Sequence, residues 1–516
     1  MQGMGWTRRQ FLSASTMALG SACLPPAWAS SGPTEITVET PLGSLVGTQT
    51  GGIRIFRGIP FAAPPVGPLR FRPPERIQPW RTPRQALHFA ASAMQPEGFL
   101  DEKGVKHSED CLYLNIWAPK GKGPFPVYLW IHGGGFTFGH SFEAMYDGAE
   151  LASQGVILVT AAYRLGVLGF LDVGPLLGAG YDGSANNAVR DLMAALHWIK
   201  GNIAAFGGDP ERVTVGGESA GAKLTGTLMG VPSAQPLFHQ MISESGGAER
   251  VGSPEFAHSV AEGFAASWKK ETGLATAAMA TAPAELLVKT QQQFMAVWPA
   301  HFPLRPERDG KLVPHLPVDT IAAGATRGKR LLIGTNRDES AVFIGPHPKH
   351  DATAADLGNL SLERFAAIYA KYKQLYPQMD EEERRIRAVT AEEYWVPSMR
   401  VAEAHLRGGG KAFLYRLDFA ESSGAMKGRA YHSLDLPLVW DRPREEIENA
   451  RAEAELAKRM TQAWISFLRD GKPAAAGLPQ WPEYSLAARR TMILDTVSHV
   501  EEHPQEAELR LWNGVL

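Results

Sequence analysis

At 516 residues the chain has room for one large α/β domain or two to three smaller ones. A hydrophobic content of 44% with 21% charged residues is ordinary for a globular protein that buries a sizeable core. The formal charge of −2, with no long basic run and no acidic tail, argues against nucleic acid or an anionic membrane surface as partner.

The N-terminus reads differently from the rest. Thr7-Arg8-Arg9-Gln10-Phe11-Leu12 leads into a weakly apolar stretch from Leu12 to Leu24, followed by Ala27-Trp28-Ala29. This order of charge, apolar run and small residues is that of a twin-arginine-type export signal over residues 1–29, with an A-x-A cleavage site. The apolar part is too short and too rich in Ser, Ala and Gly to span a bilayer. Cleavage after Ala29 would remove Arg8 and Arg9 and leave residues 30–516 as a periplasmic or secreted protein. Of the two cysteines, Cys23 lies in the leader, where Leu19 is one position out of place for a lipid-attachment site. Cys111 then stays alone, which excludes an intramolecular disulfide.

Beyond the leader, Glu35 to Glu39 alternates as a strand, Thr40-Pro41-Leu42-Gly43 turns, and Ser44 to Gly47 returns. The proline-rich run from Pro64 to Pro74 predicts an extended segment wrapping a core, and residues 81–108 read as loop and short helix. Val127 to His132 and Val156 to Tyr163 are continuous apolar runs of strand length, suited to central strands of a mostly parallel sheet. In Asn187 to Asn202, Val189, Leu192, Ala195, Leu196 and Ile199 fall on one helical face, and Gly207-Gly208-Asp209-Pro210 ends the segment. Further strands are predicted at Met241 to Ser245, Leu331 to Thr335 and Phe413 to Leu417. Residues 249–328 form an Ala-rich helical insertion of the kind that caps a site, with Phe294, Trp298 and Phe302 close together, and 352–410 is a second, charged one. A long helix from Ile447 to Arg469 stops at Asp470-Gly471, and His499 and His503 fall in a charged tail. Strands alternating with helices, with no convincing linker, predict one doubly wound α/β domain with helical insertions.

The chain centres on Val213-Thr214-Val215-Gly216-Gly217-Glu218-Ser219-Ala220-Gly221-Ala222. A β-branched run enters Gly-x-Ser-x-Gly and a helix-forming segment leaves it, the strand–turn–helix context of a nucleophile elbow. A turn that tight strains the serine backbone and excludes bulk at Gly217 and Gly221. It lifts the Ser219 hydroxyl clear of the sheet and aims the Ala220 N–H into the same space. A serine needs a base, and the base an orienting acid, which in this fold follow in the order Ser, Asp/Glu, His. The acid belongs in the loop after Leu331 to Thr335, where Asp338 and Glu339 both qualify. Among the later histidines, His405 falls in a helical pattern, whereas His432 in Tyr431-His432-Ser433-Leu434-Asp435 follows a predicted strand and is the base candidate. His132-Gly133-Gly134-Gly135-Phe136 matches the HGGG-type loop whose N–H groups meet a developing oxyanion. It lacks the Gly-Lys-Ser/Thr ending or G-x-G-x-x-G spacing of a phosphate loop. No cofactor is expected. His347 and His350 flank Pro348-Lys349 near Asp351, but without a further ligand pair they read as a solvated turn and not a metal site.

These motifs, with Phe56-Arg57-Gly58-Ile59-Pro60-Phe61-Ala62, Ser108-Glu109-Asp110-Cys111-Leu112-Tyr113-Leu114-Asn115-Ile116-Trp117, Tyr163-Arg164-Leu165-Gly166, Phe206-Gly207-Gly208-Asp209-Pro210 and Leu478-Pro479-Gln480-Trp481-Pro482, occur in the order seen in one family. The chain resembles a type-B carboxylesterase of the cholinesterase-like branch of α/β hydrolases, over nearly all of the mature sequence. The resemblance implies the α/β-hydrolase fold, Glu339 as the triad acid, and an oxyanion hole from Gly134, Gly135 and Ala220. It also implies Ser245 beside the triad and structural ion pairs of Arg57 with Glu109 and Arg164 with Asp191.

Two departures stand out. Many family members pair the cysteine at position 111 with one upstream, but Met94 and its neighbours offer none, which predicts a loop held by packing alone. No tryptophan lies between Arg81 and Ile116 to hold a quaternary ammonium group, so choline esters are not favoured. The expected activity is two-step hydrolysis, through an acyl-enzyme, of small to medium apolar or aromatic esters, with ester and water as partners. Phe136, Trp298 and Phe343 are candidate pocket walls. Hydrolysis of carbamates, amides or polyesters would use the same residues, whereas a non-catalytic binding relative would usually lack a triad member.

Overall fold

Runs of β-branched and aromatic residues build a mixed sheet whose strands are β1 (Thr34–Thr40), β2 (Gly43–Thr50), β3 (Ile53–Pro60), β4 (Tyr113–Pro119), β5 (Phe125–Ile131) and β6 (Ile157–Ala161), then β7 (Gly208–Glu218), β8 (Gln240–Glu244), β9 (Arg330–Asn336), β10 (Lys411–Leu417), β11 (Thr491–Leu494) and β12 (His499–Glu501). They lie in the order β1-β2-β3-β4-β6-β5-β7-β8-β9-β10-β11-β12, with the two-residue Arg84–Gln85 beside β2. Neighbours from β6 through β11 are parallel, while the hairpins at both edges are antiparallel. This is the α/β-hydrolase fold. The computed structural model describes residues 32–97, 104–300, 302–344 and 357–515. The leader read at 1–29 lies outside them, as do His347 and His350.

Period-two alternation splits the interior in two. On β5, Val127, Leu129 and Ile131 join one core with helices α1 (Asn187–Asn202) and α2 (Ala220–Met229), while Tyr128 and Trp130 join the other. Burial on both faces is what makes the parallel strands read as unbroken apolar runs. The second core is closed by a long C-terminal helix, Ala450–Asp470, whose Leu456, Met460, Ala463, Trp464 and Phe467 repeat at helical spacing. Gly471, at φ 68°, ends it by donating its N–H to the Phe467 carbonyl at 2.7 Å.

The insertion between β8 and β9 holds α3 (Pro254–Thr272) and α4 (Ala284–Val297). That between β9 and β10 holds α5 (Leu362–Leu375), α6 (Glu381–Thr390), one π-helical turn over Ala391–Trp395, and α7 (Val396–Arg407). The helix closing the second core is α8 from here on.

Several expectations are corrected. Strands β3 and β4 had been legible only as motif segments. The charged tail is an edge hairpin, in which His499 pairs with Ile493. Glu109 bonds with Arg70 at 2.5 Å, not with Arg57, whose guanidinium lies 5.2 Å over the Phe89 ring. Arg70 leaves the proline-rich run at the right place for this, and its Nη1 also donates to the Met279 and Ala282 carbonyls at 3.0 and 2.6 Å. Arg164 and Asp191 do pair, at 2.7 Å and buried. The segment before Cys111 is held by more than packing. Ser92–Ala93 pairs with His107–Ser108, and Gln95 exchanges two hydrogen bonds with Gly139, at 2.9 and 3.0 Å.

Candidate active site

Five neighbouring parallel strands each deliver one component at their carboxyl ends, the edge where open α/β sheets place their sites. The glycine loop follows β5, Ser219 follows β7, Ser245 follows β8, Glu339 follows β9, and His432 lies in the loop after β10.

Ser219 sits at φ 55°, ψ −120°, a conformation L-residues rarely adopt. Space explains its neighbours. A Cβ at Gly217 would lie 2.2 Å from the Ile131 carbonyl oxygen, and one at Gly221 would lie 2.0 Å from the same atom. Both positions therefore need glycine so that α2 can start hard against β5. The turn is fixed by the Ser219 N–H donating to the Glu244 carbonyl, and by the Lys223 N–H donating to the Ser219 carbonyl, each at 2.9 Å.

His432 lies between the hydroxyl and a carboxylate. Its Nε2 is 2.9 Å from Ser219 Oγ, and its Nδ1 is 2.6 Å from Glu339 Oε2. A proton on Nδ1 serves the carboxylate and leaves Nε2 free to accept from the serine. Glu339 is fully buried; its Oε1 accepts from the Asn336 N–H at 2.7 Å and from Ser245 Oγ at 2.5 Å. Ser245 itself holds φ 55°. Asp338, the other acid candidate, turns away to Arg337 and the Ala430 N–H.

A second carboxylate reaches the same imidazole. Glu218 Oε1 is 3.2 Å from His432 Nε2 and accepts from Ser433 Oγ at 2.6 Å. Burial pushes the imidazole pKa down, but the Glu218 and Glu339 charges outweigh it and His432 stands above its ordinary value. Burial raises Glu218, and it takes the nearby Asp435 carboxyl up to about 7. Sequence reading had passed over Glu218 as the variable position of Gly-x-Ser-x-Gly.

The glycine loop abuts the serine: a Cβ at Gly133 would lie 3.4 Å from Ser219 Cβ. Gly134 (φ 105°) and Gly135 (φ 57°) turn the chain back on itself, and a Cβ at Gly134 would meet the Phe138 carbonyl at 2.0 Å. His132 anchors the loop. Its ring stacks on Tyr163 at 4.5 Å, its carbonyl accepts from the Tyr163 hydroxyl at 2.9 Å, and burial takes its pKa down to about 3.

The candidate walls separate. Phe343 stays at the site, its ring 5.2 Å from His432. Phe136 is buried against Phe170 at 4.9 Å and braces the glycine loop from the core side. Trp298 belongs to the α3–α4 contact, packed on Phe294 at 5.1 Å and Phe256 at 6.3 Å. Phe302 stands at the glycine loop. Its ring comes within 3.0 Å of where a Gly135 Cβ would be. Tyr394, from the π-helical turn, faces His432 at 4.8 Å and was missed because nothing distinguishes it within a charged helical stretch. Among the described residues no cluster of three or more His, Cys, Asp or Glu could hold a metal ion, and no helix is long and apolar enough to cross a membrane.

A family model described as "Carboxylesterase family" matches residues 34–512. Para-nitrobenzyl esterase of Bacillus subtilis is 35% identical over 482 residues, covering 91% of this chain and 96% of the relative. Fumonisin B1 esterase of Sphingopyxis macrogoltabida is 34% identical over 492 residues, covering 91% and 88%. A solved structure of a pNB esterase superposes with a TM-score of 0.81 at 34% identity, covering 93% of this chain and all of the other. The carboxylesterase of Geobacillus stearothermophilus superposes with a TM-score of 0.81 at 33% identity, over 92% and 99%. The chain belongs to the carboxylesterase family, the type-B carboxylic ester hydrolases.

Proposed function

We propose that the protein hydrolyses small to medium carboxylic esters through an acyl-enzyme on Ser219, with His432 as general base and Glu339 as its orienting acid. The observation that carries this is the unbroken line Ser219 Oγ, His432 Nε2, His432 Nδ1, Glu339 Oε2, with spacings of 2.9 and 2.6 Å. In the first step Oγ attacks the ester carbonyl while Nε2 takes its proton, and the new imidazolium lies between the carboxylates of Glu339 and Glu218. The carbonyl oxygen, now negative, is met by the N–H groups of Gly134, Gly135 and Ala220. Nε2–H then protonates the leaving alkoxide, and a water activated through the same nitrogen releases the acid. The rings of Phe302, Phe343 and Tyr394 around the reacting atoms suit an apolar or aromatic group next to the scissile bond. Two relatives are named as esterases of para-nitrobenzyl and fumonisin B1 substrates, and ester hydrolysis is what they have in common. Hydrolysis of carbamates, amides or polyesters would use the same groups on a harder leaving group.

The direct test is covalent. A fluorophosphonate probe labels the protein once, peptide mapping finds the adduct on Ser219, and labelling abolishes hydrolysis of p-nitrophenyl acetate. Failure to label, or an adduct elsewhere with activity lost, sinks the assignment.

The raised pKa of His432 sets the pH profile. The base must be neutral, so kcat/KM falls as pH drops through a value above the ordinary imidazole one of about 6.5. The groups facing the ring are Glu218 and Glu339, which raise it, and Lys223, which lowers it, with Asp435 titrating nearby. Glu218→Gln removes a charge 3.2 Å from Nε2 and moves this acid limb to lower pH. An unmoved limb in that variant would show that Glu218 does not act on the imidazole.

A further inference from the structure

Four neighbouring parallel strands carry a row of residues in register behind the triad: Glu218 on β7, Glu244 on β8, Gly334 on β9 and Tyr415 on β10. Residues level across a sheet put their side chains on one face, so the two glutamates stand side by side. Glycine at 334 leaves room for the Tyr415 ring, since a Cβ there would lie 2.3 Å from Tyr415 Cδ1. The Tyr415 hydroxyl donates to Asp435 Oδ2 at 3.3 Å, and its ring packs at 5.2 Å on Trp464 of α8, whose Nε1–H donates to Glu244 Oε1 at 2.7 Å. A third carboxyl thus joins the two on the row. All three are buried, Glu244 and Asp435 completely.

The three are not equivalent. Glu218 lies 3.2 Å from His432 Nε2 and accepts from Ser433 Oγ. Asp435 accepts from Asn336 Nδ2 at 3.2 Å as well as from Tyr415, and His432 offsets its charge. Burial takes it up to about 7, so above neutrality it is ionised. Glu244 Oε2, in contrast, is buried with no hydrogen-bond partner among the described residues. The titratable groups that face this carboxyl are Asp435, Glu218 and the hydroxyls of Tyr128 and Tyr415. As a carboxylate it would meet two like charges in a dry core, whereas the acid form is neutral. Burial and then Asp435 push it well above the ordinary carboxyl range.

Glu218 and Asp435 anchor the turn that carries His432. Glu218 holds Ser433, and Asp435 is held through Asn336, whose Nδ2 also donates to the Tyr431 carbonyl at 2.8 Å and whose N–H donates to Glu339. Glu244 acts on both anchors, while its own carbonyl accepts from the Ser219 N–H. A charge on Glu244 would repel both at once and press the turn away from the strand ends that fix Ser219. A glutamate present only to hold the Trp464 indole would do so in either protonation state.

We propose that Glu244 is a positioning residue that works as a neutral carboxylic acid, and that loss of its proton sets the alkaline limit of catalysis by driving the His432 turn off Ser219. The step is a single ionisation: the proton goes to solvent and the charge stays on the carboxyl. This rests on the ester-hydrolase reading of Ser219, and adds to it a group that touches neither substrate nor reacting atoms.

The test follows kcat/KM for benzyl acetate, which has no titratable group, upward from neutral pH over the range in which the far-UV circular dichroism spectrum is constant. Rates are normalised to sites labelled by a fluorophosphonate at neutral pH, and the infrared carbonyl stretch of protonated carboxyls is recorded alongside. Wild-type kcat/KM should fall at least about tenfold along an alkaline limb, with a protonated-carboxyl band disappearing over the same pH range. Glu244→Gln, neutral at every pH, should lack that band and carry its limb at least about one pH unit higher. A wild-type enzyme with no alkaline limb overturns the proposal while leaving the esterase reading intact. So does a Glu244→Gln enzyme that keeps the band, keeps the limb where wild type has it, or labels but hydrolyses too slowly for a limb to be followed, since amide and neutral acid are alike in charge and size. If the variant does not fold, the wild-type comparison decides: a band whose loss does not track the limb overturns the proposal. Absence of both labelling and hydrolysis would overturn the esterase reading itself, and this proposal with it.

Discussion

Ser219→Ala lowers kcat for p-nitrophenyl acetate by about a millionfold, the scale on which removal of a triad nucleophile acts. The loss is that large because, on the proposed mechanism, this hydroxyl forms the acyl intermediate, and His432 without it has no proton to take. The elbow should survive the change. Its shape comes from the backbone bonds of residues 219 and 223, and alanine tolerates a φ of 55° no worse than serine. A circular dichroism spectrum and urea midpoint like those of wild type, beside an activity at the background rate, is the expected pair of results. A variant that keeps more than about a hundredth of wild-type kcat would place the nucleophile elsewhere.

Gly221→Val acts on the fold and the site together. Its Cβ would start 2.0 Å from the Ile131 carbonyl oxygen and 2.8 Å from that of His132, so α2 must shift away from β5. Backbone atoms of a buried strand cannot yield as a side-chain tip can. The expected cost is about 3 kcal/mol or more, the upper range for overpacking a core, seen as a lower urea midpoint with unchanged slope. Activity falls further than stability, because the shift carries the Ala220 N–H and Ser219 away from His432. Gly201→Ala is the control. Nothing lies within 4 Å of its added Cβ in α1, so it should be neutral or slightly stabilising. A Gly221→Val protein as stable and active as wild type would mean that the elbow has slack the geometry denies.

What could be read from sequence was whatever leaves a local signal. The central strands announce themselves as unbroken apolar runs, and α1 falls on its expected bounds because its apolar positions repeat at helical spacing. Ser219, His432 and the glycine loop were legible because a tight turn, a base and close backbone approach each demand particular residue types. Choosing Glu339 over Asp338 took the family resemblance, since spacing leaves both in one loop and it is the tertiary bonds of Ser245 and Asn336 that distinguish them. Edge strands hid for a similar reason. β12 is three residues long and half solvated, and its charged neighbours look like tail. Arg70 displaced Arg57 as the partner of Glu109 because an ion pair is settled by which guanidinium the folded proline run brings near. Glu218, Glu244 and Asp435 lie far apart in the chain, and no spacing rule joins them.

Because the reacting groups sit on adjacent carboxyl ends of strands and both long helical excursions set out from those same ends, chemistry and selectivity are held by separate parts of the chain. Residues 302–305 and the 391–395 turn can be exchanged, lengthened or recharged during evolution without disturbing the strands that align the proton path. A lineage built this way can drift from one ester to another through neutral steps in its excursions, keeping a working catalyst throughout.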